Sequence, residues 1–382
     1  MNKKIKIVYI ISNLGLGGAQ VLVFDILNNL IKKDDLDLSV ITIDSGDYIE
    51  KFEKAGIKLY DLKEKGLINP FIFFKMKKVL KDLKPDIVHT HLLKADFYGR
   101  LAAKKAGVPL IISTIHAYST RHTGADIKNK SLNDRLDNFA IKYSDCKLIA
   151  VSKIIKEYLV NRDESFEKNT EVIYNGVNIE KSKNLLNDKE RLNFRKINNI
   201  AKDDFVITIA GRIEKSKGHM FFFESVKDLL QKNKNIKVLI IGDGNFKENI
   251  EKIKVDFKIE DQIILKKFEK NIEAYIEISD LICVPSLWEG FGLVVIEGMI
   301  KSKIVLASDV GGIPEIIENG NNGFLFESEN KEDLIGKLMM IINNEIDSDK
   351  IKENAILTVK DKFDIAKNSD SYYEYYKNHI EI

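Results

Sequence analysis

Val284-Pro-Ser-Leu-Trp-Glu-Gly-Phe-Gly-Leu-Val-Val-Ile-Glu-Gly298 reads as a strand end, a loop with two glycines, and the start of a helix. The strand is the apolar run Leu281–Val284, and the helix begins near Gly292. Backbone N–H groups that open a helix lack partners within it and can hold phosphate oxygens. Glu289 lies in the loop, and Glu297 falls one turn into the helix, within reach of a neighbouring diol. Carboxylates suit that task because charge-assisted bonds to hydroxyls are short and strong. The bland alternative is two solvated glutamates on an ordinary strand-to-helix connection, against which the flanking glycines and Trp288 count.

Working outward, short β-branched runs alternate with longer amphipathic stretches, the pattern of parallel strands joined by crossover helices. In the first half the strands are Ile5–Ile11, Leu38–Ile43, Ile57–Tyr60, Ile87–His89, Leu110–Ile115 and Leu148–Val151, with a helix over Ala19–Lys32. The pattern restarts with Phe205–Ala210, Val238–Ile241, Ile263–Leu265, Leu281–Val284 and Ile304–Ala307. A restart implies two doubly wound α/β domains, which suits a length of 382 residues. The hinge is expected near Asn175-Gly176, followed by a polar, structurally vague stretch over Glu180–Lys202. This gives an N-terminal domain over 1–178, a C-terminal domain over 179–360, and a last helix over 361–382.

Composition excludes several classes. Hydrophobic residues make up 44% and charged residues 31%, as in soluble globular proteins. Two cysteines, Cys146 and Cys283, exclude a disulfide scaffold and a Cys-rich metal cluster. No apolar run reaches the ~18 residues that span a bilayer. The start, Met1-Asn-Lys-Lys-Ile-Lys-Ile-Val-Tyr-Ile-Ile-Ser12, reads as a buried strand rather than a leader peptide, so a cytoplasmic chain is expected. Residues 1–178 carry 29 Lys and Arg against 22 Asp and Glu, and the remainder carries 31 against 36. That asymmetry favours anionic partners for the first half but is too weak for a nucleic-acid footprint.

Two further segments carry candidate chemistry. Ala210-Gly-Arg-Ile-Glu-Lys-Ser-Lys-Gly-His219 follows the first strand of the second half. Arg212 and Lys217 would stand at the carboxyl end of that strand, where open α/β sheets bind ligands. An Arg fork and a Lys point charge there suit a diphosphate, the alternative being a solvated charged loop. Leu14-Gly-Leu-Gly-Gly-Ala-Gln20 follows the first strand and opens a helix, so its backbone can approach a ligand, the alternative being a plain tight strand-to-helix turn. Gln20 stands where the dinucleotide fingerprint needs its third glycine, which weighs against an NAD enzyme.

Taken together, these segments resemble the retaining glycosyltransferases of family 4, with Glu289 and Glu297 forming the E-x7-E arrangement. The remaining pieces fall in that family's order: Gly17-Gly18, Asp86-Ile-Val-His-Thr-His91, Ser113-Thr-Ile-His116, Ala150-Val-Ser-Lys153, Tyr174-Asn-Gly-Val-Asn178, Gly311-Gly-Ile-Pro-Glu315 and Gly323-Phe324. The resemblance runs over nearly the whole chain. It implies a GT-B architecture: two Rossmann-like domains facing a cleft, with the last helix crossing back to the first. It also implies that Arg212 and Lys217 hold the diphosphate of a nucleotide sugar, Glu297 its ribose, and Glu289 the transferred sugar. Phe291, Gly292 and Leu293 would complete the donor site at the helix start. His116 matches a histidine beside the reacting sugar, and Gly17 and Gly18 match a loop closing over donor and acceptor. No metal and no cofactor is expected. Asp35-Leu36-Asp37 has the spacing of a cation-binding pair but precedes a strand, and is expected to be solvated.

The reading is therefore a retaining, metal-independent hexosyltransferase, with a UDP-sugar the favoured donor and a growing, lipid-linked glycan the favoured acceptor. The alternatives are a sugar-nucleotide epimerase of the same fold and a catalytically silent sugar-nucleotide-binding subunit. Two departures bear on it: Gln20 stands where an acidic residue is usual, and Lys266-Lys267-Phe268 replaces a glycine often found beside the base. His89 and His91 are expected to point oppositely from their strand and to bind no metal, while His122, His219 and His379 are read as surface residues. In Asn69-Pro-Phe-Ile-Phe-Phe-Lys-Met-Lys-Lys-Val-Leu80, Ile72, Met76, Val79 and Leu80 make a core face. Phe71, Phe73 and Phe74 beside Lys75, Lys77 and Lys78 suit shallow contact with an anionic leaflet, at the inner face of the cell membrane. Ordinary packing of the phenylalanines is the competing reading.

Overall fold

The computed structural model describes residues 4–15, 17–66, 69–117, 132–180, 186–268 and 271–380. The chain divides into two compact units, Met1–Gly176 with Ile365–Ile382, and Val177–Asp364. The last helix, Ile365–His379, thus belongs to the same unit as the N-terminal strands.

Among the described residues, the first unit holds β1 (Ile5–Asn13), β2 (Leu36–Asp44), β3 (Lys58–Asp61), β4 (Ile87–His91), β5 (Leu110–Ile115), β6 (Lys147–Ala150) and β7 (Thr170–Val172). They form one sheet in the order β3-β2-β1-β4-β5-β6-β7, every pair parallel. β4 and β5 are buried along their full length, as expected of strands with helices on both faces. Strand order reverses between β1 and β4, so the loops leaving these neighbours diverge and open a crevice at their carboxyl ends.

The second unit holds β8 (Phe205–Ala210), β9 (Ile236–Ile241), β10 (Ile263–Lys266), β11 (Leu281–Val284), β12 (Ile304–Ser308) and β13 (Phe324–Phe326). Their order, again parallel throughout, is β10-β9-β8-β11-β12-β13, and the reversal lies between β8 and β11. Gly298 lies inside the helix Leu293–Ile300, where a Cβ would meet Ile282 Cγ1 at 3.0 Å and Val305 Cγ2 at 3.2 Å. Its hydrogen is what lets that helix sit so close to the sheet.

Several expectations need correction. β7 and β13 were not foreseen; each is a three-residue edge strand, too short to show a period. The polar stretch after Glu180 contains a helix, Asp188–Ile197, started by a capping box in which Asn187 and Glu190 satisfy each other's backbone N–H groups. The domain boundaries fall at 176/177 and 364/365 rather than 178/179 and 360/361. The reason is local: the Val177 N–H donates to the Phe363 carbonyl at 2.8 Å, and Val177 bridges Asp364, so these segments belong together. Asp35 is not merely solvated. It accepts from the Tyr373 hydroxyl at 2.8 Å and the Lys377 ammonium at 3.1 Å, which anchors the terminal helix.

The helix Pro70–Leu83 has proline at its first position and the Asn69 side chain capping the Phe71 N–H. Ile72, Met76 and Leu80 are buried as expected, Val79 and Phe73 are half-buried, and Phe71 and Phe74 stand 67% and 62% exposed. Lys75 pairs with Glu64 at 2.5 Å, so this cation is partly neutralised.

Candidate active site

In the second unit the reversal brings two strand-end loops together. After β8, Gly211 turns the chain, a short 3-10 turn spans Lys215–Lys217, and Gly218 in the left-handed region at φ 65° starts the helix His219–Lys232. After β11, the loop carrying Glu289 ends at Gly292, with φ 105°, which starts the helix Leu293–Ile300. The loops interlock: the Leu287 N–H donates to the Ser216 carbonyl at 2.8 Å, and a Cβ on Gly218 would lie 1.7 Å from the Pro285 carbonyl oxygen. Only a glycine fits that gap.

This interlock carries Lys217 to Glu289, with Nζ 2.5 Å from the carboxylate and both side chains largely but not wholly enclosed. Ser286 Oγ donates to the same carboxylate oxygen at 3.3 Å. The Glu289 backbone is braced from a third loop. The Gly312 N–H donates to its carbonyl at 3.3 Å, and a Cβ on Gly311, at φ 57°, would lie 1.8 Å from that oxygen. The Gly311-Gly312 pair thus has a geometric task that its sequence position alone did not reveal.

The other second-unit candidates fall around this pair. Arg212 is 67% exposed at its side chain and pairs with Glu214 at 3.1 Å, reachable by an incoming anion. Glu297 is half-buried, one turn into the helix that begins after Gly292. The Phe291 ring is 2% exposed and packs edge-on against Phe363, with centroids 5.6 Å apart, so its ring is committed to the core. His219 corrects the surface reading. It is 2% exposed, neither ring nitrogen meets a partner among the described residues, and burial together with the Lys217 charge pushes its pKa down to about 4. It follows Gly218 directly and turns inward at the helix start. His122 lies outside the described residues; His379 is half-buried and stacks on Tyr375.

In the first unit, the glycine loop leaves β1 and the histidines end β4 and β5. Asn13 Oδ1 accepts from the Gly15 N–H and from Gln20 Nε2, each at 3.0 Å. Gln20 therefore ties the loop back on itself, which explains a buried amide where an acid was expected. Gly17 immediately precedes the helix Gly18–Leu30, and a Cβ on it would press on Gln20 Oε1 at 2.5 Å. Ser12 clamps the crevice, its hydroxyl donating to the Leu92 carbonyl at 3.3 Å and accepting from the Ala95 N–H at 3.0 Å. Leu92 is held there at φ 75°, an uncommon backbone for a branched residue.

His89 and His91 do not point oppositely. Residues two apart in a strand share a face, and their rings lie 4.3 Å apart, both fully buried. His89 bonds Tyr376 OH through Nδ1 at 2.7 Å and Thr114 Oγ1 through Nε2 at 2.8 Å. Tyr376 in turn hydrogen-bonds the hydroxyl of Tyr9, so the terminal helix is wired into this row. His91 Nδ1 lies 3.1 Å from His116 Nε2, and the Tyr9 ring stacks on His91 at 5.3 Å. Burial lowers the pKa of His89 to about 3 and of His116 to about 4, and lowers that of His91 as well.

The chain matches two family models in succession, Glycosyltransferase Family 4 over residues 16–181 and Glycosyl transferases group 1 over residues 190–358. A glycosyltransferase of Methanocaldococcus jannaschii is 30% identical over 84% of this chain and 84% of its own length. The UDP-Gal:alpha-D-GlcNAc-diphosphoundecaprenol alpha-1,3-galactosyltransferase of Escherichia coli is 27% identical over 91% of this chain and 90% of its own. The crystal structure of Anabaena HepE with UDP-glucose superposes with a TM-score of 0.84 at 21% identity, covering 98% of this chain and 99% of that one. Two models that tile the chain in the order of its two units, and a relative alike along most of its length, make this protein a member of the family 4 glycosyltransferases, with the GT-B fold.

Proposed function

We propose that this glycosyltransferase is a retaining, metal-independent hexosyltransferase that moves a sugar from a UDP-sugar to a lipid-linked glycan in cell-surface polysaccharide synthesis. The observation that carries the reading is the Lys217–Glu289 pair at the β8/β11 reversal, where α/β sheets bind ligands. A diphosphate entering there meets Lys217, Arg212 and the opening amides of the helix Leu293–Ile300, a set of fixed positive charge that stabilises the leaving group as the glycosidic bond breaks. Drawing Lys217 onto phosphate releases the Glu289 carboxylate to the hydroxyls of the transferred sugar. Glu297, one turn further along, takes the ribose diol. From the family likeness we assign His116 to the reacting sugar and the Gly17-Gly18 loop to donor phosphate and acceptor. No protein nucleophile is invoked; the leaving phosphate guides the acceptor onto the face it vacates.

The donor and acceptor classes rest on likeness. The Escherichia coli relative is named for UDP-Gal and a diphosphoundecaprenol acceptor, and HepE is described with UDP-glucose. The exposed Phe71 and Phe74 beside Lys77 and Lys78 support peripheral contact with an anionic leaflet, where a lipid-linked acceptor resides. The test is a calorimetric screen of UDP-, GDP- and ADP-sugars in excess chelator, followed by NMR of the product's anomeric configuration. Binding confined to a GDP- or ADP-sugar would reject the base, an inverted anomer the mechanism, and activity that returns only with manganese the metal independence.

A further inference from the structure

We propose that His91 is a positioning residue that fixes His116 as a neutral imidazole carrying its proton on Nδ1. The contact between His91 Nδ1 and His116 Nε2, 3.1 Å, needs one proton between the two nitrogens. The other nitrogen of His91 decides whose it is. His91 Nε2 is buried and has no partner among the described residues. If His116 donated, His91 would keep its own proton on Nε2, an orphaned N–H in the interior. If His91 donates, only a bare lone pair is left there, and unsatisfied buried acceptors are better tolerated than unsatisfied buried donors. A doubly protonated His91 is excluded by its enclosure between Tyr9, His89 and His116. His91 therefore donates from Nδ1, His116 accepts at Nε2, and His116 holds its own hydrogen on Nδ1.

The ring that donates is itself immobilised. The Tyr9 plane lies within 8° of the His91 plane, and His89 on the other flank is pinned through both nitrogens by Tyr376 and Thr114. The terminal helix thus sets the row from behind, and His116 at the carboxyl end of β5 is its outermost member. On the proposed reading of the site, on which this role rests, His116 offers the reacting sugar a hydrogen-bond donor and no basic nitrogen. That suits an oxygen gaining negative charge more than a proton to be abstracted.

The experiment is long-range proton–nitrogen NMR of the full chain labelled with nitrogen-15 histidine, near neutral pH. Its six histidines are assigned by single substitution. Wild type should show His116 protonated on Nδ1 and bare on Nε2. His91→Asn, whose amide N–H lies where His Nδ1 does, should preserve that pattern. His91→Gln, whose amide reaches toward the Nε2 position, should shift His116 to the Nε2–H form that free imidazole prefers in water. A wild-type His116 protonated on Nε2, or one tautomer shared by both variants, would overturn the inference. The wild-type spectrum decides the matter alone if the Gln variant does not fold. Normal transfer by His116→Ala would instead reject the proposed role of His116 and leave the tautomer result standing.

Discussion

Replacing Gly218 with Ala tests whether the interlocked loops set the geometry of the site, because the collision can be read against an internal control. Gly218 and Gly320 both sit at positive φ, 65° and 80°, so an alanine carries the left-handed strain of about 1–2 kcal/mol at either. They differ in space. A Cβ on Gly320 meets nothing within 4 Å, whereas one on Gly218 falls 1.7 Å from the Pro285 oxygen. Carbon and oxygen normally approach no closer than about 3.3 Å, so the loops must part by roughly 1.5 Å. Forced repacking of this kind adds about 1–3 kcal/mol. In a unit of this size each kcal/mol lowers the melting temperature by about 2–4 °C. Gly320→Ala should therefore melt roughly 5 °C low and Gly218→Ala roughly 10 °C low or more. Lys217 is the residue before the collision and Glu289 lies four beyond the other side of it. A misplacement of about 1 Å there costs on the order of 10²-fold in turnover of the UDP-sugar, while Gly320→Ala should keep normal turnover. Trp288, the only tryptophan of the chain, rides on the displaced loop and reports the melt by fluorescence. Indistinguishable melts and turnovers for the two variants would refute the reasoning.

Lys217→Ala and Arg212→Ala should each lose about 10²–10³ in rate with little change in melting, since both project from loops; near-normal turnover in both would reject the diphosphate assignment. Glu297→Ala should weaken calorimetric binding of UDP while Glu289→Ala mainly slows transfer, and unchanged UDP affinity in Glu297→Ala would exclude the ribose contact. Wild type should sediment with anionic vesicles more than with neutral ones, and Lys77/Lys78→Glu should release it; equal partitioning of both would return the phenylalanine face to ordinary surface. The last expectation concerns acid. His89, with a folded pKa of about 3, and His91 and His116, lowered likewise, stay neutral while the unfolded chain takes up protons below pH ~6.5. Asp96, raised to about 6 by burial, acts the other way and binds its proton in the folded state first. The balance is a loss of about 1–3 kcal/mol per pH unit from the first unit as pH falls from 6 to 4.5. Circular dichroism beyond the transition seen by Trp288 should follow it, and flat stability over that window would contradict the neutral histidine row.

The two sheets were legible because parallel strands buried on both faces must be written as apolar runs. The nine interior strands announce themselves, and so do the four-residue edge strands β3 and β10, whereas the two edge strands of three residues do not. The helix after Glu180 was legible too, had Asn187 and Glu190 been read as a capping pair rather than as polar filler. The candidate site divides along a different line. Lys217 and Glu289 each follow a strand that the sequence locates, so their place at a strand end could be read in advance. Their contact depends on β8 lying beside β11, a pairing across 74 residues of chain that no local signal carries. The same holds for Gly311, whose missing Cβ makes room for the Glu289 carbonyl from a third loop. The histidines show the opposite failure, since the period of two was enough to place His89 and His91 on one face. What period cannot give is the depth of that face, or the tyrosine row of the last helix that closes it. Asp35, Tyr9, His89 and Thr114 each find their partner in Tyr372, Tyr373 or Tyr376, more than 250 residues away. The terminal helix is therefore part of the first unit's polar core, and a change in it would be felt at His116 through Tyr376, His89 and His91 in turn.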